Sequence, residues 1–546
     1  MSVVTATILS EQKQIDEVYQ LLAIDIRREV NRIPYASLVL VDGDAAKREF
    51  ALSNDQVFEP GKEIEIALRY EAETEDATLF KGRVITHGVE ASAHGSLLRV
   101  EIKDAAVKLT QTRKSAVFID QSDDEVIKKI IEDGKLKAGT VEVTKPKHPQ
   151  IVQYGCSDWD FLVSRADIQG LLTVVEDGEI SVRKADASAK PKHRFDYGID
   201  EIYDFEFQVD AGHQYPSVKS SGWDLKQAAP TDPANAKAFS LSQGDLDGAK
   251  LADAVGFEPC ALSHPVPVAQ EELQAWADAR MMRSRMSMIR GRLATRGLAD
   301  LKLLDVIEID GVGTRFNGKT LITGICHRVD RDGWRSDIQF GLSPRAFCRE
   351  DGIADVPAAG LLPGVSGLQI GVVDKFVEDP DKELRVKVVL PGIGAKTEAL
   401  WARLAAPDAG KDRGCFFRPE EGDEVVVGFF NQDPRQPVIL GALYGSKNTA
   451  PQDCAEITQD NLKKGFVTRA GTKILFNDDK KASLTLETAS ENKLRLDDDK
   501  ETIEISDQHG NKITLDKDGI TIESAKDLKL KASGNVEIQG AKVDVK

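Results

Sequence analysis

The sequence predicts a mainly β, multidomain protein, and three observations lead there. Between Gly367 and Ser446 five short apolar strands follow one another, each bounded by Gly, Pro or Asp. Up to about residue 120 apolar and polar residues alternate with period two. From Leu484 to the last residue an apolar-polar-apolar unit recurs at steps of seven to ten residues. The length of 546 residues leaves room for roughly three to four domains. A net charge of −18 argues against a polyanionic partner or an anionic membrane face.

No apolar run of about 18 residues is present to span a bilayer. The start, MSVVTATILSEQKQ, lacks the basic and apolar regions of a secretory leader, so assembly in the cytoplasm is expected. Cys156, Cys260, Cys326, Cys348, Cys415 and Cys454 form no C-x-x-C, which predicts neither a zinc site nor a disulfide framework.

Taken in order, residues 19–26, 36–41, 63–69, 78–88 and 97–103 read as strands. Ser122 with Glu125 makes a capping box for a helix carrying Val126, Ile127, Ile130 and Ile131, stopped at Gly134. A second capped helix begins at Ser157 with Asp160 and leads into a hairpin at 170–178. Residues 228–243 read as a loop excursion. Over 271–296 the positions Leu273, Trp276, Ala279, Met282, Met286, Ile289 and Leu293 recur at three and four, which predicts one long helix. Its Arg280, Arg283, Arg285, Arg290 and Arg292 predict a basic face, paired with a neighbouring subunit in preference to nucleic acid. Residues 303–309, 318–327 and 334–342 resume β patterning, and Pro357, Gly360, Pro363 and Gly364 mark a linker.

The five strands at 368–376, 384–390, 400–405, 424–430 and 438–444 predict an OB-type barrel. Nucleic-acid-binding barrels need a basic groove with stacking aromatics, whereas Glu378, Asp379, Glu420, Glu421, Asp423 and Glu424 place carboxylates in these loops, so no nucleic acid is expected. The order W-A-R at Trp401–Arg403, F-x-P-E-x-G-D-E-V-x-V-x-F at Phe417–Phe429 and D-P-R-Q-P-V-I-L-G at Asp433–Gly441 resembles the OB domain of the VgrG and phage hub-and-spike family. The early N-R-I-P-Y step and the Q-Y-G-C-S-D-W-D-F-L stretch resemble the hub of that family.

The resemblance implies two hub β-barrels with inserted helices, an OB-fold barrel and a C-terminal intertwined trimeric β-helix or β-prism. The division expected is 1–120 first hub barrel, 121–200 helical and hairpin insertion, 201–350 second hub barrel with the helix 271–296, 351–366 linker, 367–446 OB barrel, 447–473 neck and 474–546 trimeric spike.

The tail unit pairs Leu484 with Leu486, Leu494 with Leu496, Ile503 with Ile505, Ile513 with Leu515, Ile520 with Ile522, Leu528 with Leu530, Val536 with Ile538 and Val543 with Val545. Burying two aliphatic side chains stabilises by roughly 3–6 kcal/mol per unit. Fixing about eight residues of backbone costs roughly 8–16 kcal/mol. The deficit predicts burial and strand pairing from other copies, with these sixteen residues as the core of a homotrimeric spike.

Enzyme signals fail at the level of motif. Gly392–Thr397 lacks the G-K-[ST] step of a phosphate loop, no H-E-x-x-H is present, and Cys260 with His264 is an isolated pair. Neither catalysis nor a cofactor nor a metal is expected. Among relatives that carry a lysozyme or toxin domain, the short 444–476 interval and the end at Lys546 mark a departure.

The function implied by the resemblance is the structural hub and membrane-puncturing spike of a contractile injection system. It most resembles the spike of an extracellular phage-tail-like particle, with a type VI secretion VgrG or a contractile phage baseplate spike as alternatives. A hydrolase with its site in 228–265 is the reading from another class. The implied partners are a PAAR-type tip protein on Val543, Asp544, Val545 and Lys546, tube and baseplate proteins at the hub, effector cargo, and a target membrane met only in passing.

Overall fold

The computed structural model describes residues 4–16, 18–392 and 398–546 and is mainly β, with four α-helices among them. The chain divides into two compact units, Met1–Asp355 and Val356–Lys546.

The N-terminal unit is built on one thirteen-stranded sheet. The strands expected as two barrels share a single hydrogen-bonded path, joined where Leu21–Glu29 pairs antiparallel with Gly318–Asp330. Alternation explains the burial. In Tyr35–Val41 the residues Ala36, Leu38 and Leu40 point inward and are completely buried, while their neighbours are half-exposed. A core around Ile24, Leu38, Phe58, Ile64, Phe80 and Leu98 underlies the first half. A second core around Met286, Leu293, Ile307, Ile322, Ile338 and Phe340 underlies the other.

Helices α1 (Asp123–Asp133) and α2 (Asp158–Ile168) pack over a third core with the hairpin Leu171–Glu176 and Glu179–Lys184. Ser122 and Glu125 close a capping box on α1. The fully buried Asp123 accepts from Arg165 at 2.6 and 3.0 Å and from Gln169 at 2.7 Å, and Arg165 also reaches Glu272 at 2.8 Å. This polar cluster ties α1 and α2 to Glu272.

Two expectations are corrected here. The long helix at 271–296 ends early: after α3 (Gly248–Val255), α4 runs Gln270–Met286 and the chain turns into the strand Ile289–Arg296. That strand pairs with Ile202–Val209 on one side and Gly333–Phe340 on the other. Gly291 lets this strand pack, because a Cβ there would lie 2.5 Å from both the Glu206 carbonyl and the Phe207 ring.

The five arginines also find their partners within the chain, not on a single basic helix face. Arg283 is buried on the Asp167 carboxylate and donates to the Ser343 and Arg345 carbonyls. Arg280 donates to Tyr215 Oη, Arg285 to Gln214, Arg290 to Asp210 and Arg292 to Asp204. All five have a partner within the chain, while the buried Nε atoms of Arg280 and Arg290 have none.

Within the C-terminal unit, the strands Gln369–Val373, Val386–Val389, Leu400–Leu404, Pro437–Ala442 and Glu424–Phe429 close into a five-stranded barrel. Its interior holds Val373, Val386, Val388, Ala402, Val425, Val427 and Ile439. Asp379 is buried in the hairpin turn, accepting from the backbone N–H groups of Asp381, Glu383 and Arg385 and from the Arg385 guanidinium. The Arg385 hydrogen bond comes first among the causes that hold its carboxyl far below the usual range. Of the Gly392–Thr397 segment, residues 393–397 lie outside the described residues.

Candidate functional site

The feature that separates the tail from the rest of the molecule is a sheet with one bare apolar face. Seven antiparallel strands of five residues follow in order: Lys463–Val467, Lys473–Asn477, Ser483–Glu487, Lys493–Asp497, Thr502–Ser506, Lys512–Asp516 and Gly519–Glu523. In a five-residue strand the second and fourth side chains share one face and the first, third and fifth share the other. The second and fourth positions are apolar almost throughout.

The register stacks them into two columns. One runs Phe466, Ile474, Leu486, Leu494, Ile505, Ile513 and Ile522, and the other Lys464, Phe476, Leu484, Leu496, Ile503, Leu515 and Ile520. The opposite face is polar and self-paired, with Lys493 to Glu487 at 3.1 Å and Lys512 to Glu504 at 2.7 Å.

At one edge three turns repeat a single geometry. The N–H of Thr468, Thr488 and Asp507 donates to the carbonyl of Thr472, Asn492 and Asn511, and their own carbonyls accept from the fourth turn residue, Gly471, Glu491 or Gly510, which has φ of 82°, 63° or 87°. At the other edge Asp497 is buried and accepts from the backbone of Asp499 and Lys500, so it closes a turn.

Most of the two apolar columns is left open to solvent. Leu486 is 37% exposed, Ile505 47% and Ile520 69%, while Ile24, Leu38 and Ile66 in the N-terminal sheet are essentially at zero. Of the sixteen residues expected as a spike core, twelve are exposed and four, Leu484, Leu494, Ile513 and Leu515, are half-buried. A groove of ≈ 870 Å³ runs along the first column from Ile474 to Ile522 and ends at Leu528. An apolar face of this extent marks an interaction surface.

Three differences from the sequence reading stand out. The sheet begins at Lys463, inside the expected neck, because Phe466, Ile474 and Phe476 occupy column positions. The T-R-A-G-T, T-A-S-E-N and D-Q-H-G-N turns, spaced 20 and 19 residues apart, carry the signal that finds it. Backbone pairing over 463–523 is also supplied by the chain itself, through hairpins, so what is missing there is side-chain burial alone.

Finally, Leu528, Leu530, Val536, Ile538, Val543 and Val545 belong to no strand in this chain. Val543 and Val545 are 54% and 92% exposed, Asp544 pairs with Lys542 at 2.8 Å, and Lys546 is exposed.

Residues 229–263 include Ala234–Asn235 and Cys260–Ser263, which flank Val218–Ser221 in a small sheet under α4, and His264 donates its backbone N–H to Ser221. Among the described residues no three His, Cys, Asp or Glu side chains are placed to hold a metal ion, and no helix is long and apolar enough to cross a membrane.

The molecule is a mainly β protein whose closed OB-type barrel leads into a β tail with one bare apolar face, and the comparisons place it among injector spikes. Residues 1–331 match the Alg8 N-terminal domain family, residues 369–444 the type VI secretion system/phage-baseplate injector OB domain, and residues 466–546 the phage baseplate V C-terminal trimerisation domain. The chain belongs to the VgrG and phage hub-and-spike family.

It is 33% identical over 101 residues to the type VI secretion system spike protein VgrG1a of Pseudomonas aeruginosa, covering 18% of this chain and 16% of that one. It is 41% identical over 71 residues to VgrG3 of Vibrio cholerae, covering 12% and 7%. These alignments thus span a sixth or less of the curated relatives, which are themselves spike proteins. Among solved structures, the tail protein from Neisseria meningitidis is similar at 14% identity and a TM-score of 0.46, over 64% of this chain and 98% of that one.

Proposed function

We propose that this chain is the structural hub and spike of a contractile injection system, acting as a homotrimer whose tails close their bare apolar faces on one another. The observation that carries this reading is the pair of uncovered columns placed directly after an injector-type OB barrel. Covering the twelve exposed aliphatic side chains of the tail stabilises the assembly by on the order of 10 kcal/mol per chain. The match of 466–546 to a trimerisation domain supports three copies.

In this reading the N-terminal unit meets the tube and baseplate, the barrels form a collar, and the tail is the needle. Val543–Lys546 seat a PAAR-type tip protein. The sheath supplies the work, cargo travels with the spike, and the chain itself catalyses nothing and needs no cofactor. Assembly takes place in the cytoplasm and the finished particle is released. The identity to type VI spike proteins supports a second reading, in which the same trimer works in a type VI secretion system.

Deleting the gene and imaging particles by electron microscopy tests the role. Tubes and sheaths without a central spike, or no particles, are expected, and particles with an intact spike contradict it. A screen of the full chain for hydrolase activity, expected to be blank, tests the non-catalytic part.

A further inference from the structure

We propose that Phe376, Phe416, Phe417 and Arg418 on the barrel form a docking surface for a second copy of this chain, an inference that rests on the trimeric reading above. The three rings are 46%, 65% and 60% exposed. The Arg418 guanidinium lies 5.3 Å from the Phe416 centroid and 5.8 Å from that of Phe376, and among the described residues no carboxylate pairs with it. A desolvatable arginine held between exposed aromatic rings is the chemistry enriched at the centre of protein interfaces.

The occupant follows from continuity. Phe417 stacks on Phe466, with centroids 5.6 Å apart and planes 15° apart. Phe466 is the first member of the apolar column and the first residue of the stretch that matches the trimerisation domain. The Arg469 to Glu420 ion pair at 3.0 Å ties the same loop to the same tail turn. The uncovered surface of the tail therefore runs on without a break onto the barrel loop, and whatever covers Phe466 reaches Phe417 and its neighbours. In a homotrimer that cover is another copy of the chain. The turn that follows the first tail strand and the barrel loop then act as one surface, which fixes the register at which the tails begin to associate.

The test uses the full chain with p-benzoylphenylalanine in place of Phe416, mixing isotopically light and heavy copies. Irradiation is expected to give covalent dimers containing one light and one heavy chain, in a protein whose native mass is that of a trimer. A trimer without light-heavy cross-links overturns the docking surface and leaves the trimeric reading standing, whereas a monomer overturns both. Arg418→Glu removes no ion pair within the chain and is expected to weaken trimer association at least tenfold at unchanged hub melting. Unchanged association overturns the proposal.

Discussion

The sheet of the N-terminal unit and the sheet of the tail follow the same alternation, yet one finishes its core within the chain and the other does not. Leu38 and Leu40 sit in the middle of Tyr35–Val41 with no exposure, covered by Phe58, Ile64 and Phe80 from their own unit. Leu494 and Leu496 sit at equivalent alternating positions of Lys493–Asp497, and Leu496 remains 38% exposed because no second layer follows them in sequence. In both sheets the strands are paired by backbone hydrogen bonds within the chain. What differs is the source of apolar cover, and that places the stability of the first unit in the monomer and that of the tail in the assembly.

The sharpest way to break this comparison is a charge on the apolar face of the tail sheet. Ile505→Asp would put a carboxylate in every copy at the centre of the column, and dissociation to monomers is expected by native mass spectrometry, with hub melting unchanged. A trimer that survives breaks the distinction. Next in size, Leu38→Ala is expected to destabilise the hub by about 2–5 kcal/mol at any protein concentration, while Leu494→Ala lowers a melting temperature that itself depends on concentration. Calorimetry at two concentrations separates the two.

Acid sharpens the contrast further. His327 is buried against Ser336 Oγ at 2.9 Å, and burial, then the Arg28 charge, push it down to about 3. Burial alone would raise the Asp123 carboxyl, but hydrogen bonds from His148 and Arg165 override it and hold it at about 2. In the unfolded chain these groups bind protons near pH 6.5 and 3.9. Protons therefore favour the unfolded hub, whose stability is full above about pH 6.5 and falls as pH drops towards 3, then towards 2.

In the tail, Glu504, paired with Lys512, and Asp507, hydrogen-bonded by Asn511, are lowered as well, so their contribution is lost only below about pH 4.5. Hydrogen exchange between pH 7 and 4 is expected to show the hub loosening first. His327→Gln should flatten the upper part of that loss.

Much of this was legible because alternation reports which face is covered. Val386 and Val388 beside Lys387, and the spaced turn residues, carry the barrel. Alternation does not report how a sheet closes, so strands that read as two barrels share one path through the Leu21–Glu29 and Gly318–Asp330 pair. The end of α4 was hidden because Ile289 and Leu293 continue the helical spacing past Met286, and only Gly291 breaks it. The burial of Arg283 depends on Asp167, more than a hundred residues earlier, and no local pattern carries that. In the tail an aliphatic repeat conceals the first two strands, where phenylalanines take the apolar places.

The smallest effect lies in the repeated turns. Glu491 holds a left-handed backbone where Gly471 and Gly510 stand in the sister turns. Glu491→Gly is expected to stabilise the tail by about 0.5–1 kcal/mol and Gly471→Ala to cost about 1 kcal/mol, read from trimer melting.

The most direct test of the central claim is the native mass of the full chain beside a chain ending at Ser446. Three copies in the first and monomers or weak assemblies in the second are predicted. A full-length monomer would contradict the account, because the apolar columns would then be bare in solution.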